Sequence, residues 1–187
     1  MERTLCKKCN GTGKRPGLEV GTGSMGCGLP MAVGFALAKK LKREEGRVFV
    51  LMSDGELQCG TTWESLLIAS HHRLNNLVVI VDFNQLQAMG NVTDILAINT
   101  RRGRLKDKLR DFDCNVRFCH GHKFKELEER LLHPRKIITK RDLHYPTIVV
   151  AFTEKGYGVS FMRKKNVWHY KAPNQDEYER ALAELNG

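Results

Sequence analysis

Two oxygen-bearing side chains stand just beyond two strongly apolar runs. Asp54 follows the run Arg47 to Met52 within Ser53-Asp54-Gly55-Glu56, and Asn84 follows Leu77 to Asp82 within Asp82-Phe83-Asn84-Gln85. A carboxylate and a neutral amide carbonyl are hard donors, which suit magnesium or calcium better than zinc. Gly55, without a Cβ, would let its backbone approach a phosphate closely. Asp-Gly after a strand is also a common turn, so at this level a metal and phosphate site and an ordinary turn both stay open.

The elements that must position these residues alternate between strand-like and helix-like. Leu29, Val33, Leu37 and Leu41 fall on one helical stripe, with Gly46 as the stop. Arg47 to Met52 reads as a short strand, and Trp63, Leu66, Leu67 and Leu74 then recur at helical intervals. Leu77 to Asp82 is a continuous apolar run, as in a parallel strand covered on both faces. Asn115 to Phe118 and Thr147 to Thr153 read as two more strands, separated by an amphipathic segment around Phe124, Leu127, Leu131 and Leu132. The order predicts an α/β fold with a doubly wound, mostly parallel sheet. In such sheets ligands bind beyond the carboxyl ends of the strands, where Asp54 and Asn84 stand. Asn84 to about Gly103 has no clear period and reads as a long loop, either functional or disordered.

Composition narrows the class. A chain of 187 residues with 41% hydrophobic content can build one domain, set here at residues 17–187, behind an N-terminal tail of residues 1–16. The longest apolar runs are far shorter than the roughly 20 residues of a membrane span, and MERTLCKKCN lacks the apolar stretch of a secretory signal, so no membrane association and a cytoplasmic location are expected. The net charge of +10 is spread along the chain without interleaved aromatic residues, which argues against a nucleic-acid partner.

The spacing of the two candidate ligands, 84 − 54 = 30 residues, together with GTGSMGCGLPMAVGFALA (21–38), SDGELQCGTTWESLLIASHHRLNNLVVIVDFNQLQAMG (53–90) and KGYGVSFMRKKNVWHYKAP (155–173), resembles the transketolase family. The resemblance covers nearly the whole chain from Arg15 and implies the diphosphate-binding domain of the thiamine diphosphate fold, truncated at the front. It implies thiamine diphosphate and a divalent metal as cofactors, magnesium first, with calcium or manganese as alternatives. Asp54, the side chain of Asn84 and the carbonyl of Leu86 would bind the metal. The backbone around Ser53, Gly55 and Glu56 would hold the diphosphate, Gly23 and Met25 would lie against the middle of the cofactor, and His169 would reach the diphosphate and substrate as the catalytic acid/base or orienting group. The activity implied is transfer of a two-carbon ketol unit between sugar phosphates or related carbohydrates. The family's activating glutamate lies in a pyrimidine-binding domain that this sequence does not contain, so a C-terminal transketolase subunit is the expected partner, in a homodimer or heterotetramer.

Some positions depart from the family pattern. Histidines that usually precede the PGLEV segment are missing, Cys59 stands where glutamate is common, Cys27 where Gln or His is common, and Ala88 where a larger apolar residue packs. These motivate a second reading, a truncated relative that serves as a binding or regulatory partner without turnover. In the tail, Cys6 and Cys9 resemble one unit of a chaperone zinc repeat, which Cys114, Cys119, His120 and His122 could complete only if the fold gathers them.

Overall fold

A computed structural model describes residues 19–97, 102–132 and 142–187. Four strands form one parallel sheet: β1 (Val48–Ser53), β2 (Leu77–Phe83), β5 (Asn115–His120) and β6 (Thr147–Phe152), in the order β1-β2-β6-β5. The register pairs Ser53 with Asp82, Phe83 with Phe152 and His120 with Phe152, so all four carboxyl ends meet along one edge. β2 and β6 occupy the middle and are buried on both faces, which explains why they read as unbroken apolar runs.

Side chains alternate between the faces. On one, Met52, Leu77, Val79, Val81, Ile148, Val150 and Val116 pack with α1 (Gly28–Leu41), α2 (Gly60–His71) and α4 (Arg102–Asp111). On the other, Val78, Val149, Ala151 and Cys119 pack under Leu127 and Leu131 of α5 (Phe124–Leu132). That second face is covered unevenly, and Phe49 and Leu51 of β1 are exposed on it.

The four expected strands and the helices over 28–41, 60–71 and 124–132 are present. The stripe of α1 differs, because Leu29, Ala32, Val33 and Ala36 are its buried residues while Leu41, past the last covered turn, is exposed. Leu67 is likewise exposed, and Leu74 is buried beyond the end of α2. The segment expected as a loop after Asn84 instead folds as a hairpin of β3 (Leu86–Gln87) and β4 (Gly90–Asn91), followed by a single turn, α3 (Val92–Ile95). Two helices, α4 and α6 (Gln175–Asn186), lie in segments where no helix was expected. The tail with Cys6 and Cys9 lies outside the described residues. Cys114 and Cys119 pack in different core clusters and so are not gathered into one site, and burial first, then Asp113, pushes the Cys114 thiol up to about 12. No described helix is long and apolar enough to cross a membrane.

After β6 the chain folds into a turn-rich segment that returns over the sheet edge. Gly156 fixes its first bend at φ 75°, and a Cβ there would sit 2.5 Å from the Met162 carbonyl carbon and oxygen, which belong to the backbone and cannot rotate away. Gly156→Ala should therefore lower unfolding free energy by about 2 to 4 kcal/mol, combining left-handed strain with overpacking. Urea unfolding checks this, and a change below about 0.5 kcal/mol would mean that the bend is not part of the cooperative fold.

Candidate cofactor and metal site

Because Ser53 and Asp82 are register partners, the residues that follow β1 and β2 emerge side by side. Asp54 opens a 3-10 turn, Asp54–Gln58, and is fully buried. Its Oδ2 accepts a hydrogen bond from the Gln85 N–H at 2.5 Å, whereas Oδ1 is buried with no partner. Gln85 adopts a left-handed backbone, φ 65°, and Asn84 Oδ1 accepts from the Leu86 N–H at 2.9 Å, closing an Asx turn. Asp54, Asn84 and Leu86 are thus brought to adjoining strand ends. Burial is the main reason that the Asp54 carboxyl is pushed up to about 6; the nearby Asp82 adds to this, while the bond from the Gln85 N–H, the neighbouring Gly55 backbone and the charge of Lys155 oppose it.

Glu56 joins this turn to the glycine-rich loop. Its Oε1 accepts from the Gly26 N–H at 3.1 Å and its Oε2 from the Ser53 N–H at 2.8 Å. The start of α2 fixes the turn from the other side, as Thr62 Oγ1 donates to the Glu56 carbonyl at 2.6 Å and Trp63 Nε1 to the Leu57 carbonyl at 2.9 Å. Sequence reasoning considered only the backbone at Glu56 and missed the carboxylate clamp.

At Gly55 the absent Cβ lets neighbouring side chains close over the turn. A methyl group there would meet Gln87 Oε1 at 3.2 Å, Met25 Cε at 3.6 Å and Ser53 Oγ at 3.7 Å. Met25 therefore lies against the turn, whereas Gly23 faces open space. His169 ends the 3-10 turn Asn166–His169, which packs on β3, with Asn166 Nδ2 reaching the Ala88 carbonyl at 3.5 Å. His169 is exposed, and its partial burial followed by the charge of Lys155 lowers its pKa below the usual histidine value. Lys155, three residues beyond β6, thus acts on both Asp54 and His169. Sequence reasoning missed it by weighing only the residues that follow β1 and β2; the rule that ligands sit beyond strand ends applies to β6 as well.

The chemistry of Asp54 and Asn84 fits a hard divalent cation. Among the described residues no three His, Cys, Asp or Glu side chains gather around one point. The buried, unpartnered Asp54 oxygen and the amide oxygen of the adjoining Asn84 are instead donors of the kind that suits magnesium or calcium.

The family model for transketolase, thiamine diphosphate binding domain, matches residues 3–185. The chain belongs to this family. It is 38% identical over 174 residues to one subunit of the apulose-4-phosphate transketolase of Actinobacillus succinogenes, covering 92% of this chain and 59% of that relative. With a 6-deoxy-6-sulfo-D-fructose transketolase subunit of a Clostridium species it shares 30% identity over 169 residues, covering 90% of this chain and 58% of the relative. The structure of Campylobacter jejuni transketolase superposes with a TM-score of 0.78 at 25% identity, over 91% of this chain and 26% of that one. This transketolase-family chain is therefore similar to subunits of split transketolases while spanning about three fifths of their length, and its parallel sheet is the family's fold.

Proposed function

We propose that the chain is the diphosphate-binding subunit of a split transketolase, binding thiamine diphosphate through a divalent metal and transferring a two-carbon ketol unit between sugar phosphates or related carbohydrates together with a pyrimidine-binding partner. The observation that carries this reading is the buried, unpartnered Oδ1 of Asp54 next to the Asn84 turn, in a chain matched by the thiamine diphosphate binding family along nearly its full length.

Bound thiamine diphosphate supplies the carbon nucleophile that ketol transfer needs. Asp54, Asn84 and the Leu86 carbonyl would hold the metal, magnesium first. Met25 would pack against the cofactor, and Ser53, Gly55 and Glu56 would border its diphosphate. His169, kept neutral near pH 7 by its lowered pKa, can donate one N–H while its other ring nitrogen accepts. That suits a group that orients a substrate hydroxyl or moves its proton.

The need for a partner rests on the relatives, which are named as transketolase subunits. Ketol transfer from a ketose phosphate to an aldose phosphate, followed by chromatography, should be absent for the purified chain and appear when the pyrimidine-binding subunit is added. Turnover by the chain alone would contradict the split assembly. Cofactor binding without turnover in the mixture would favour the regulatory reading, consistent with Cys59 standing in a glutamate position.

A further inference from the structure

We infer that Cys27 and Cys59 form a modification site, a pair of thiols held together by the fold that a small-molecule disulfide converts into an intrachain Cys27–Cys59 bridge. Both are free thiols, Cys27 exposed and Cys59 half-buried. Cys27 immediately precedes α1, and Cys59 joins the Asp54–Gln58 turn to α2. The two helices pack on each other, and the contact at their starts runs through Gly26. A Cβ on Gly26 would lie 3.0 Å from the Cys59 Cβ and 3.2 Å from its sulfur. Consecutive Cα atoms are about 3.8 Å apart, so Cys59 Cβ stands within roughly 8 Å of the Cα of Cys27, the next residue. Bridged cysteines have Cα atoms about 4.4 to 6.8 Å apart, and a shift of at most a few ångströms closes the pair.

The approach is fixed from both sides of Cys59. Gly26 N–H donates to Glu56 Oε1 at 3.1 Å, and Thr61 Oγ1 donates to the Gly26 carbonyl at 3.0 Å. The two sulfurs are also within electrostatic reach, since burial, then the charge of Glu56 and then that of Cys27 raise the Cys59 thiol above its ordinary value. Cys114 and Cys119, by contrast, are buried in separate core clusters. Among the described residues, Cys27 and Cys59 are thus the cysteines that share one site open to a reagent.

Exposed Cys27 meets the reagent first. Its thiolate attacks one sulfur of oxidised glutathione, the S–S bond breaks, and one glutathione leaves as a thiolate. The Cys59 thiolate then attacks the Cys27 sulfur of the mixed disulfide and releases the second glutathione. Two electrons pass from the protein to the glutathione disulfide, and the two cysteine protons end on the two glutathione thiols. The product ties the glycine-rich loop covalently to a turn that Glu56 and Thr61 otherwise hold by hydrogen bonds.

The test is treatment of the folded full chain with oxidised glutathione, without cofactor or metal, followed by digestion and mass spectrometry under non-reducing conditions. A peptide pair linked through Cys27 and Cys59 is expected, and dithiothreitol should separate it. The oxidised chain should melt about 5 to 10 °C above the reduced one, because a bridge that fits the fold constrains the unfolded chain. Cys59→Ser should stop at the first step, with glutathione left on Cys27 and no rise in melting temperature, and Cys27→Ser should also show no rise. Wild type that yields glutathione adducts, links between chains or a Cys6–Cys9 link in place of the Cys27–Cys59 pair would overturn the inference. A Cys27–Cys59 link that lowers the melting temperature would overturn it too, since the fold would then not hold the pair in position. No cofactor enters the experiment, so its failure leaves the cofactor reading untouched.

Discussion

Asp54→Asn should weaken magnesium-dependent binding of thiamine diphosphate by about a hundredfold or more, on the order of 3 kcal/mol, without harming the fold. The substitution keeps an oxygen that can accept from the Gln85 N–H but removes the charge. In the wild-type chain that charge is fully buried, with one oxygen unpartnered and Asp82 nearby. Such a carboxylate is unfavourable for the ligand-free protein and useful only when a cation arrives. Ligand-free Asp54→Asn should therefore be at least as stable as wild type at pH 8, although its cofactor affinity has collapsed.

The same carboxyl sets a pH dependence. Its folded pKa of about 6 lies above the ordinary value of 3.8, so between these limits the folded state holds a proton that the unfolded state has released. The contribution is fully present below pH about 4 and is lost as pH rises through about 6. In Asp54→Asn this part of the stability profile should vanish. For the wild type, a cation must displace the proton, so apparent metal affinity should fall as pH drops through about 6. Urea unfolding from pH 4 to 8 checks the first statement and magnesium titration over the same range the second. A flat wild-type profile in both would contradict the burial argument.

His169→Ala should lower turnover of the assembled enzyme by about a hundredfold or more, since removing one preorganised contact to a developing charge typically loses about 2.7 to 4 kcal/mol. Cofactor affinity should change much less than in Asp54→Asn, because His169 is exposed on a separate turn and supplies no metal ligand in this scheme. The lowered pKa adds a second readout: the His169-dependent part of the rate should be present at neutral pH and lost as pH falls through that pKa, where the imidazole gains a proton. Comparing kcat with cofactor affinity separates this role from a structural one, which would lower stability and both functions together. Wild-type turnover in His169→Ala with intact cofactor binding would remove His169 from the chemistry.

How much of this was legible in the sequence depended on whether a feature was local. β2 and β6 announce themselves because a parallel strand with both faces covered needs an apolar residue at every position, and Leu77 to Val81 and Ile148 to Ala151 provide it. The sheet edge then places Asp54 and Asn84 with no further information. α6 carried a readable signal that was passed over, the reciprocal cap between Asn174 and Glu177. α4 is harder, since only Leu105 and Leu109 are buried in a strongly charged segment, too little for a periodicity argument. The Glu56 clamp was out of reach for another reason. Glu56 meets Gly26 across 30 residues. That contact leaves no periodic or spacing signature in one sequence.

The central claim is that a metal held by Asp54 and Asn84 joins this chain to a diphosphate. Calorimetric titration of the purified wild-type chain with thiamine diphosphate, once with magnesium and once after chelation of all divalent ions, tests it most directly. Binding is expected in magnesium and should disappear on chelation, returning when magnesium is restored. Equal affinity in both conditions would contradict the metal bridge.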